Sequence, residues 1–235
     1  MPAAHDLNGK VSALLFDFGG TLAFLDFEML AGELSRPRRR LDAITLEQAE
    51  YEGRAALDRR LLADPKSDVN QAYDGFMRAW MGAVGISEDE LPEIRQRLRE
   101  MHEKETLWRV VRPGTFEALE RMKSGGLKLG IVSNADGRVE ADARRFGLAQ
   151  YFDVIIDSEV VGVSKPDPRI FHIAMERLRV APEETLYTGD IYSIDMIGAR
   201  AAGITGKLID CLDRYHWVEH TRIRHIGELH RTGQD

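Results

Sequence analysis

The sequence predicts an α/β protein, with a parallel β-sheet that carries helices on both faces and an all-helical insertion after the first strand. Three observations support this prediction. Short apolar runs alternate with helical patterns, these runs are bounded by Gly, Asp or Asn, and a stretch of about 85 residues near the start contains no convincing strand. We therefore expect a Rossmann-like core interrupted by a second, helical module.

Five apolar runs have the length and composition of β-strands. The first four are apolar enough to be buried on both faces, as the strands of a parallel sheet are. The predicted strands are residues 11–16, 127–133, 152–157, 184–189 and 207–210.

Helices are predicted between these strands, and their starts are recognisable. Pro113 stands in the first turn of one helix, and Asp167 followed by Pro168 combines a capping residue with proline at the first helical position. Two further helices are predicted to follow Asp136 and to begin near Ser193. Strands that alternate with helices in this way favour a parallel sheet.

The insertion carries helical patterns. Apolar residues recur in it at helical intervals, and two pairs, Thr45 with Gln48 and Ser87 with Glu90, have the spacing of a capping box. The predicted organisation is a catalytic core and a helical cap domain, comprising residues 1–23 with 111–235 and residues 24–110 respectively.

The composition is that of an ordinary globular protein. Hydrophobic residues make up 43% and charged residues 30%. The formal net charge of -7 argues against a nucleic-acid-binding surface. The sequence has no run of about 20 apolar residues, and its first residues lack the apolar core of a signal peptide. A single cysteine, Cys211, excludes an intrachain disulfide. We expect a cytoplasmic protein without a membrane or nucleic-acid partner, and the sequence does not indicate an oligomeric state.

Polar residues follow four of the predicted strands at the point where each strand ends. Asp17 follows the first strand, Ser133 and Asn134 end the second, Lys165 follows the third, and Asp190 follows the fourth. A lone strand-end Asp is most often a cap or turn residue, so each signal is weak by itself. Because ligands of open parallel sheets bind at the carboxyl ends of the strands, the ordered set predicts one shared site.

These residues resemble the four motifs of the haloacid dehalogenase-like hydrolase superfamily. FDFGGTL is similar to the first motif, Asp-x-Asp-x-Thr, and IVSN to the second; SKPDP resembles the lysine-bearing third motif and YTGDIYSID the acidic fourth. The resemblance covers residues 11–210 and implies a helical-bundle cap of the C1 type that sets substrate specificity. It also implies a hydrolase that acts on a small phosphorylated metabolite with Mg²⁺ as its cofactor.

The resemblance implies a catalytic role for three of these residues. Asp17 would attack phosphorus as a nucleophile and form an aspartyl-phosphate. Ser133 would hydrogen-bond a phosphoryl oxygen, and Lys165 would place a positive charge against it. The substrate-binding residues implied are Phe18, Gly19, Thr21, Ser133, Asn134 and Lys165.

A magnesium site is predicted beside the nucleophile. Mg²⁺ prefers hard oxygen ligands, commonly one or two carboxylates together with substrate phosphate. Asp17 and Asp190 would supply the carboxylates, and the resemblance adds the backbone carbonyl of Gly19. Asp195 is expected to orient Lys165 or a metal-bound water.

Gly19 departs from the motif. Phosphatases of the superfamily usually have a second Asp there, which protonates the leaving group and later activates water, and such general acid–base catalysis is worth about 10²–10⁴ in rate. Some phosphatases of this fold tolerate glycine, and a good leaving group demands less acid assistance. A predicted cap residue, Asp26, Tyr73 or His102, is another possible donor, and the sequence does not separate these explanations.

Other functions remain open at this point. The chain would be a catalytically degenerate protein that binds phosphate or metal if Gly19 abolishes turnover. The dehalogenases of the superfamily also lack the second Asp, but they work without metal and lack the counterpart of Asp190. Phosphonate-cleaving relatives need a cap lysine that forms a Schiff base with the substrate. The candidate here is Lys66, but its surrounding sequence gives no reason to expect the buried, desolvated amine that this chemistry needs.

One further motif, HWVEH at residues 216–220, fits the His-x-x-Glu-His pattern of a metallopeptidase class. Zinc catalysis would need His216 and His220 on one helical face, together with a third ligand and a cleft. The motif lies in a polar tail beyond the last predicted strand, so we expect surface histidines there.

Overall fold

A computed structural model describes residues 5–6 and 11–230 of the chain. The strands are β1 (His5–Asp6), β2 (Ala13–Phe16), β3 (Phe24–Leu25), β4 (Trp108–Val110), β5 (Lys128–Ser133), β6 (Val154–Asp157), β7 (Thr185–Gly189), β8 (Thr205–Ile209), β9 (Arg222–Ile223) and β10 (Leu229–His230). The α-helices are α1 (Phe27–Leu34), α2 (Ala43–Ala63), α3 (Val69–Ala83), α4 (Leu91–Lys104), α5 (Thr115–Ser124), α6 (Val139–Arg145), α7 (Ser158–Val161), α8 (Pro168–Leu178) and α9 (Ile197–Ala201). In the described part of the chain, no helix is both long enough and apolar enough for a membrane span.

The core is a six-stranded sheet in the order β6-β5-β2-β7-β8-β9, with parallel pairing between neighbours. The five strands predicted from the sequence correspond to β2, β5, β6, β7 and β8. Helix α8 contacts β5 and β6, and α9 contacts β8. The predicted α/β fold class is therefore confirmed, with ends that differ by one to two residues.

The order of the strands locates the crevice of the sheet. From the central strand β2, the chain continues to β5 and β6 on one side, and then to β7 and β8 on the other. All four residues of β2 are buried, which explains the continuous apolar run ALLF. In open α/β sheets, ligands bind at such a switch point, outside the carboxyl ends of the strands. That point lies directly after Phe16.

Clustering of the chain gives two compact units. The sheet unit comprises residues up to 24, 110–213 and from 219 onwards, and the helical unit comprises residues 25–109 and 214–218. Regular structure in the described helical unit is helical, except where Leu25 and Trp108–Arg109 belong to β3 and β4.

The helical unit has its own hydrophobic core, to which α1–α4 contribute. Trp80 is buried in it and donates its indole N–H to the carbonyl of Leu46 at 3.0 Å. The buried residues of this core include Leu30, Leu34, Leu46, Trp80, Met81, Ile94 and Leu98.

One predicted helix start in this unit is correct and another is displaced. Ser87 and Glu90 form the expected capping box. The capping box proposed for Thr45 and Gln48 is wrong, because α2 begins directly after Asp42, whose carboxylate accepts the backbone N–H of Thr45 at 2.9 Å. Asp is a strong N-cap residue, and the N-cap of α2 lies three residues before the proposed one.

The segment 214–218, which carries most of the HWVEH motif, belongs to the helical unit. Tyr215 is fully buried, packs edge to face on Tyr51 and donates its hydroxyl to Asp58. Trp217 donates its indole N–H to the same Asp58 carboxylate at 3.1 Å. We call Asp58, Tyr215 and Trp217 the tail anchor. Tyr215 is therefore an interior residue and Trp217 is half-buried; the expectation of surface histidines holds for His216 but not for His220, which is half-buried.

Candidate active site

The loop after β2 presents Asp17 at the carboxyl end of the central strand. The backbone N–H of Asp17 donates to the carbonyl of Thr188 at 2.8 Å, which continues the pairing of β2 with β7. The N–H groups of Leu22 and Ala23 both donate to the carbonyl of Phe18, at 3.0 and 2.9 Å, and close a tight turn. Asp17 is thus fixed by the sheet on one side and by a short turn on the other.

Gly20 in this turn lies directly against Asp190. Its φ of 73° is in the left-handed region that favours glycine. A Cβ at this position would overlap Oδ2 of Asp190 and lie 2.5 Å from its Cγ. The second glycine of FDFGGTL is therefore required both by its backbone conformation and by the close approach of the Asp190 carboxylate.

Lys165 is the centre of a buried polar network. Its ammonium group donates to Asp17 Oδ1 at 2.7 Å, to Asp195 Oδ1 at 2.7 Å and to the hydroxyl of Tyr187 at 2.9 Å. An ammonium group has three N–H donors, so each of them has an acceptor. Lys165 is only 3% exposed, and its contact with Asp195 is compatible with the orienting role expected of Asp195.

Asp195 is held by four donors. Its Oδ1 accepts from Lys165 and from Tyr187, both at 2.7 Å. Its Oδ2 accepts the backbone N–H groups of Asp190 and Ile191, at 3.1 and 2.9 Å. A π-helical turn, Tyr192–Met196, carries Asp195 into this position in place of the regular helix start predicted near Ser193. Both carboxylate oxygens of Asp195 are thus engaged by the protein, which favours an orienting role over a metal-binding role.

Three buried carboxylates meet at this point. Asp17, Asp190 and Asp195 each offer an oxygen atom, and these oxygens lie within 4.8 Å of one another. Among the described residues, this is the group of acidic, histidine or cysteine side chains that comes close enough to hold a metal ion. His216 and His220 of HWVEH belong to no such group in that part of the chain.

Burial and neighbouring charges shift the pKa values of Asp17 and Lys165 in this site. Burial raises the pKa of the Asp17 carboxyl; the Lys165 ammonium opposes this rise and Asp195 adds to it. Burial acts to lower the pKa of Lys165, but the carboxylates of Asp17 and Asp195 outweigh it and keep that pKa above its ordinary value. One charged lysine therefore stands among three carboxyl groups, and a bound cation would favour their ionised forms.

The residues fit a divalent cation on a second observation. Thr21, the last polar residue of FDFGGTL, is 3% exposed, and its Oγ1 has no hydrogen-bond partner in the protein. A buried hydroxyl without a partner costs about 1–3 kcal/mol. The carboxylate cluster, together with an unsatisfied hydroxyl four residues after Asp17, offers the hard oxygen donors that a divalent cation prefers.

The other predicted substrate-binding residues lie around this cluster. Ser133 is buried at the end of β5, two residues beyond Ile131, which pairs with Phe16. Phe18 is buried and stacks on Phe146 with a centroid distance of 6.5 Å. These positions are compatible with a site at the end of β2, and the contacts of the two side chains with substrate remain predictions.

Asn134 holds the loop that carries the lysine. Its side-chain Nδ2 donates to the carbonyl of Lys165 at 2.9 Å, and its Oδ1 accepts the backbone N–H of Lys165 at 2.7 Å. Both ends of the amide are therefore used to fix the backbone of Lys165. This contact explains why an Asn follows Ser133, and its predicted contact with substrate stays untested.

A family comparison agrees with this geometry. The model of the haloacid dehalogenase-like hydrolase family matches residues 11–203, which include every residue of the network. The chain belongs to the haloacid dehalogenase-like hydrolase family. The membership predicted from the four motifs is thereby confirmed, and the protein is a hydrolase.

Individual relatives of this haloacid dehalogenase-like hydrolase cover different shares of the chain. A phosphorylated carbohydrates phosphatase of Thermotoga maritima is 31% identical over 201 residues, which is 83% of this chain and 82% of that protein. Haloacid dehalogenase-like hydrolase domain-containing protein 3 of Bos taurus is 38% identical over 49% of this chain and 46% of its own length. The chain thus matches less than half of the latter relative.

The fold of the haloacid dehalogenase-like hydrolase also resembles solved structures. A HAD phosphatase from Thermococcus onnurineus superposes with a TM-score of 0.56 at 25% identity, over 93% of this chain and 95% of that one. The similarity therefore extends over nearly the whole of both chains.

Tyr187 is the residue of this haloacid dehalogenase-like hydrolase that the sequence analysis missed. It lies in the middle of β7, where it reads as one more apolar strand residue. A buried tyrosine hydroxyl usually needs a partner, and that rule was the available signal. The three candidate proton donors of the helical unit have local contacts instead.

Those contacts are as follows. Asp26 caps α1 by accepting the N–H of Met29 at 2.9 Å, and it also accepts from Arg109 at 2.8 Å. His102 accepts the N–H of Leu107 at 3.3 Å. Tyr73 is 40% exposed beside Phe76. All three candidates therefore have contacts within the helical unit, and a role for any of them as proton donor remains a prediction.

Proposed function

We propose that this hydrolase is a Mg²⁺-dependent phosphatase that acts on a small phosphorylated metabolite and uses Asp17 as the nucleophile. The observation that carries the proposal is the meeting of Asp17, Asp190 and Asp195 around one lysine. A phosphoryl group brings further negative charge to Asp17, and phosphoryl transfer depends mainly on positioning and charge neutralisation. A cation is therefore needed more for phosphoryl transfer at this site than it would be for cleavage of a carbon–halogen bond.

Asp17, Asp190 and the Gly19 carbonyl are the proposed ligands of Mg²⁺. When bound, the ion would neutralise charge on the phosphoryl oxygens and on the attacking carboxylate. The four hydrogen bonds to Asp195 support leaving that residue out of the ligand set. Residues 24–110, which contain the larger segment of the helical unit, are the proposed cap domain.

In the first proposed step, a carboxylate oxygen of Asp17 forms a bond to phosphorus and the bond to the leaving oxygen breaks. Lys165 stabilises the charge beside Asp17, and Ser133 donates a hydrogen bond to a phosphoryl oxygen. In the second step, water attacks the aspartyl-phosphate, releases phosphate and restores the Asp17 carboxylate. Gly19 supplies neither the acid for the first step nor the base for the second.

The substrate class rests on the family relationship. The Thermotoga maritima relative, which matches over most of both chains, is named for phosphorylated carbohydrates. Together with the lysine and the unsatisfied hydroxyl of Thr21, that name supports a small phosphorylated metabolite as the substrate. A sugar phosphate is the first candidate to test.

The proposal is tested by phosphate release from a panel of phosphorylated metabolites, measured with Mg²⁺ and with excess chelator. Activity that requires Mg²⁺ and is lost in Asp17→Asn is the expected result. If the protein binds Mg²⁺ and phosphate but releases phosphate from no ester, acyl phosphate or anhydride, it is a degenerate binding protein. Release of halide from haloacids without Mg²⁺ would contradict the phosphatase proposal outright.

The metal site has a matched control on another strand of the same sheet. Asp190→Asn should weaken Mg²⁺ binding, measured by calorimetry, at least about 10-fold because a charged ligand is lost. Asp157 is also a buried carboxylate at a strand end, but it accepts the backbone N–H groups of Val139 and Glu159 at 3.2 and 3.0 Å. Asp157→Asn should leave Mg²⁺ affinity unchanged. Equal affinities in both variants would remove Asp190 from the site.

A further inference from the structure

The hydroxyl of Tyr187 occupies the space between two charged groups of the site. It lies 2.9 Å from Lys165 Nζ, 2.7 Å from Asp195 Oδ1 and 3.4 Å from the carbonyl of Val132. The ring is fully buried and stands edge to face on Phe171, with the centroids 4.9 Å apart. The hydroxyl position is therefore set by the strand and by ring packing, independently of Lys165.

The direction of each hydrogen bond follows from the donors available. Lys165 can only donate and the Asp195 carboxylate can only accept. The phenol must therefore accept from Lys165 and donate to Asp195, which requires its proton. Burial, followed by the charges of Asp195 and Asp17, raises the pKa of Tyr187 well above its ordinary value. The neutral phenol is thus the form that the site stabilises.

We propose that Tyr187 is a positioning residue that holds the Lys165 ammonium group between Asp17 and Asp195. The effect on catalysis rests on the proposed phosphatase function, whereas the effect on the ammonium group does not. Without the hydroxyl, one ammonium N–H loses its acceptor in a buried site, and Asp195 Oδ1 loses one of its two donors. The lysine side chain then has more freedom to leave the geometry that serves Asp17.

The first test compares two tyrosine-to-phenylalanine variants. Tyr187→Phe keeps the ring and removes the hydroxyl, and hydrogen bonds to charged groups are strong enough that kcat should fall about 10- to 100-fold. KM and Mg²⁺ affinity should stay within about twofold, because Tyr187 touches neither substrate nor the proposed ligands. The control is Tyr215→Phe, which removes another fully buried hydroxyl that donates to a carboxylate, Asp58, in the helical unit. It should lower thermal stability without lowering kcat.

A double-variant cycle shows whether Tyr187 acts through the lysine. In a Lys165→Gln background, the further change Tyr187→Phe should reduce kcat much less than it does in the wild type, because residues that act as a unit are not additive. Equal reductions in both backgrounds would overturn the proposal and leave Tyr187 with a packing role.

A second measurement does not require activity. Hydrogen exchange of the Lys165 ammonium protons, followed by NMR on ¹⁵N-lysine-labelled protein, should be at least about 10-fold faster in Tyr187→Phe than in the wild type or in Tyr215→Phe. An unchanged exchange rate would overturn the proposal even if no substrate is found. Faster exchange in a protein without phosphatase activity would support the positioning role and refute the proposed function.

Discussion

Two adjacent glycines in the loop after β2 differ in whether the backbone would accept a side chain. Gly20 has a positive φ and no space for a Cβ, whereas Gly19 does not have a positive φ. Gly19 is half-buried, and by resemblance to the first motif it is proposed to stand where phosphatases of the family usually have an acid–base Asp. A side chain is therefore compatible with the backbone at residue 19 and incompatible with it at residue 20.

Restoring a carboxylate at Gly19 should repair both steps of the proposed reaction. Gly19→Asp is expected to raise turnover of alkyl phosphates by up to about 10²-fold, since general acid–base catalysis is worth about 10²–10⁴. The wild type should favour acyl and aryl phosphates, whose leaving groups need little protonation. A burst of leaving group in the wild type, measured by rapid mixing, would show that the aspartyl-phosphate accumulates.

The control for this change is Gly19→Ala, which adds a Cβ without a carboxylate and should not accelerate any substrate. Fast hydrolysis of alkyl phosphates by the wild type, slowed in Gly19→Asp, would mean that another residue supplies the proton. Asp26, Tyr73 and His102 would then be the next positions to substitute.

Substitution of Gly20, unlike substitution of Gly19, should weaken Mg²⁺ binding. Gly20→Ala places a methyl group on the Asp190 carboxylate and requires a left-handed backbone, so Asp190 or the loop must move. Mg²⁺ affinity should fall at least about 10-fold, because ligand geometry controls affinity. Calorimetry of Gly19→Ala and Gly20→Ala side by side makes the comparison, and equal affinities would contradict the close approach of Gly20 to Asp190.

At the scale of elements, the start of the fourth helix depends on an ion pair. Arg39 donates to both carboxylate oxygens of Glu90, at 2.9 and 2.7 Å, and the N–H of Ser87 donates to Glu90 at 3.0 Å. The Arg39 hydrogen bond, followed by that of Ser87, lowers the pKa of Glu90 from 4.5 to about 2. The carboxylate is therefore stabilised in the folded helical unit relative to the unfolded chain.

The contribution of Glu90 to the stability of the protein should change with pH only in the acidic range. Because the folded pKa is the lower one, the stabilisation is complete above pH 4.5 and is lost as the pH falls towards about 2. Glu90→Gln should lower the unfolding temperature at neutral pH, and its difference from the wild type should shrink below pH 4.5. A difference that stays constant down to pH 3, by circular dichroism, would contradict the shifted pKa.

The sequence predicted those elements whose signals are local. Buried strands, proline at the start of a helix and the order of Asp17, Lys165 and Asp190 at strand ends follow from periodicity and composition. The sequence predicts a regular helix start where the structure has the π-helical turn that carries Asp195. The wider turn depends on hydrogen bonds that form only in the folded protein, so no local pattern predicts it. Tyr187 was missed for the same reason, since its role depends on Lys165, a residue distant in sequence.

At the scale of the whole molecule, the division into units was the least predictable feature. Residues 24–110 were expected to form the cap by themselves, but residues 214–218 cluster with the helical unit. Tyr215 and Trp217 lie far along the chain from Asp58, to which both donate hydrogen bonds. No periodicity or motif in the sequence connects two such distant segments. The recognisable pattern in HWVEH lies in its histidines, whereas the contacts with Asp58 are made by Tyr215 and Trp217.

The tail anchor makes the helical unit discontinuous in the chain, which therefore passes between the two units four times. A gene exchange that swaps only residues 25–109 between relatives would transfer an incomplete unit. The residue at position 58 would then come from one relative and the residues at positions 215 and 217 from the other, so the hydrogen bonds of the tail anchor would form only if the second relative has suitable aromatic residues there. An exchange of the helical unit between members of this family therefore has to carry both chain segments together, or to use a relative that shares the tail segment.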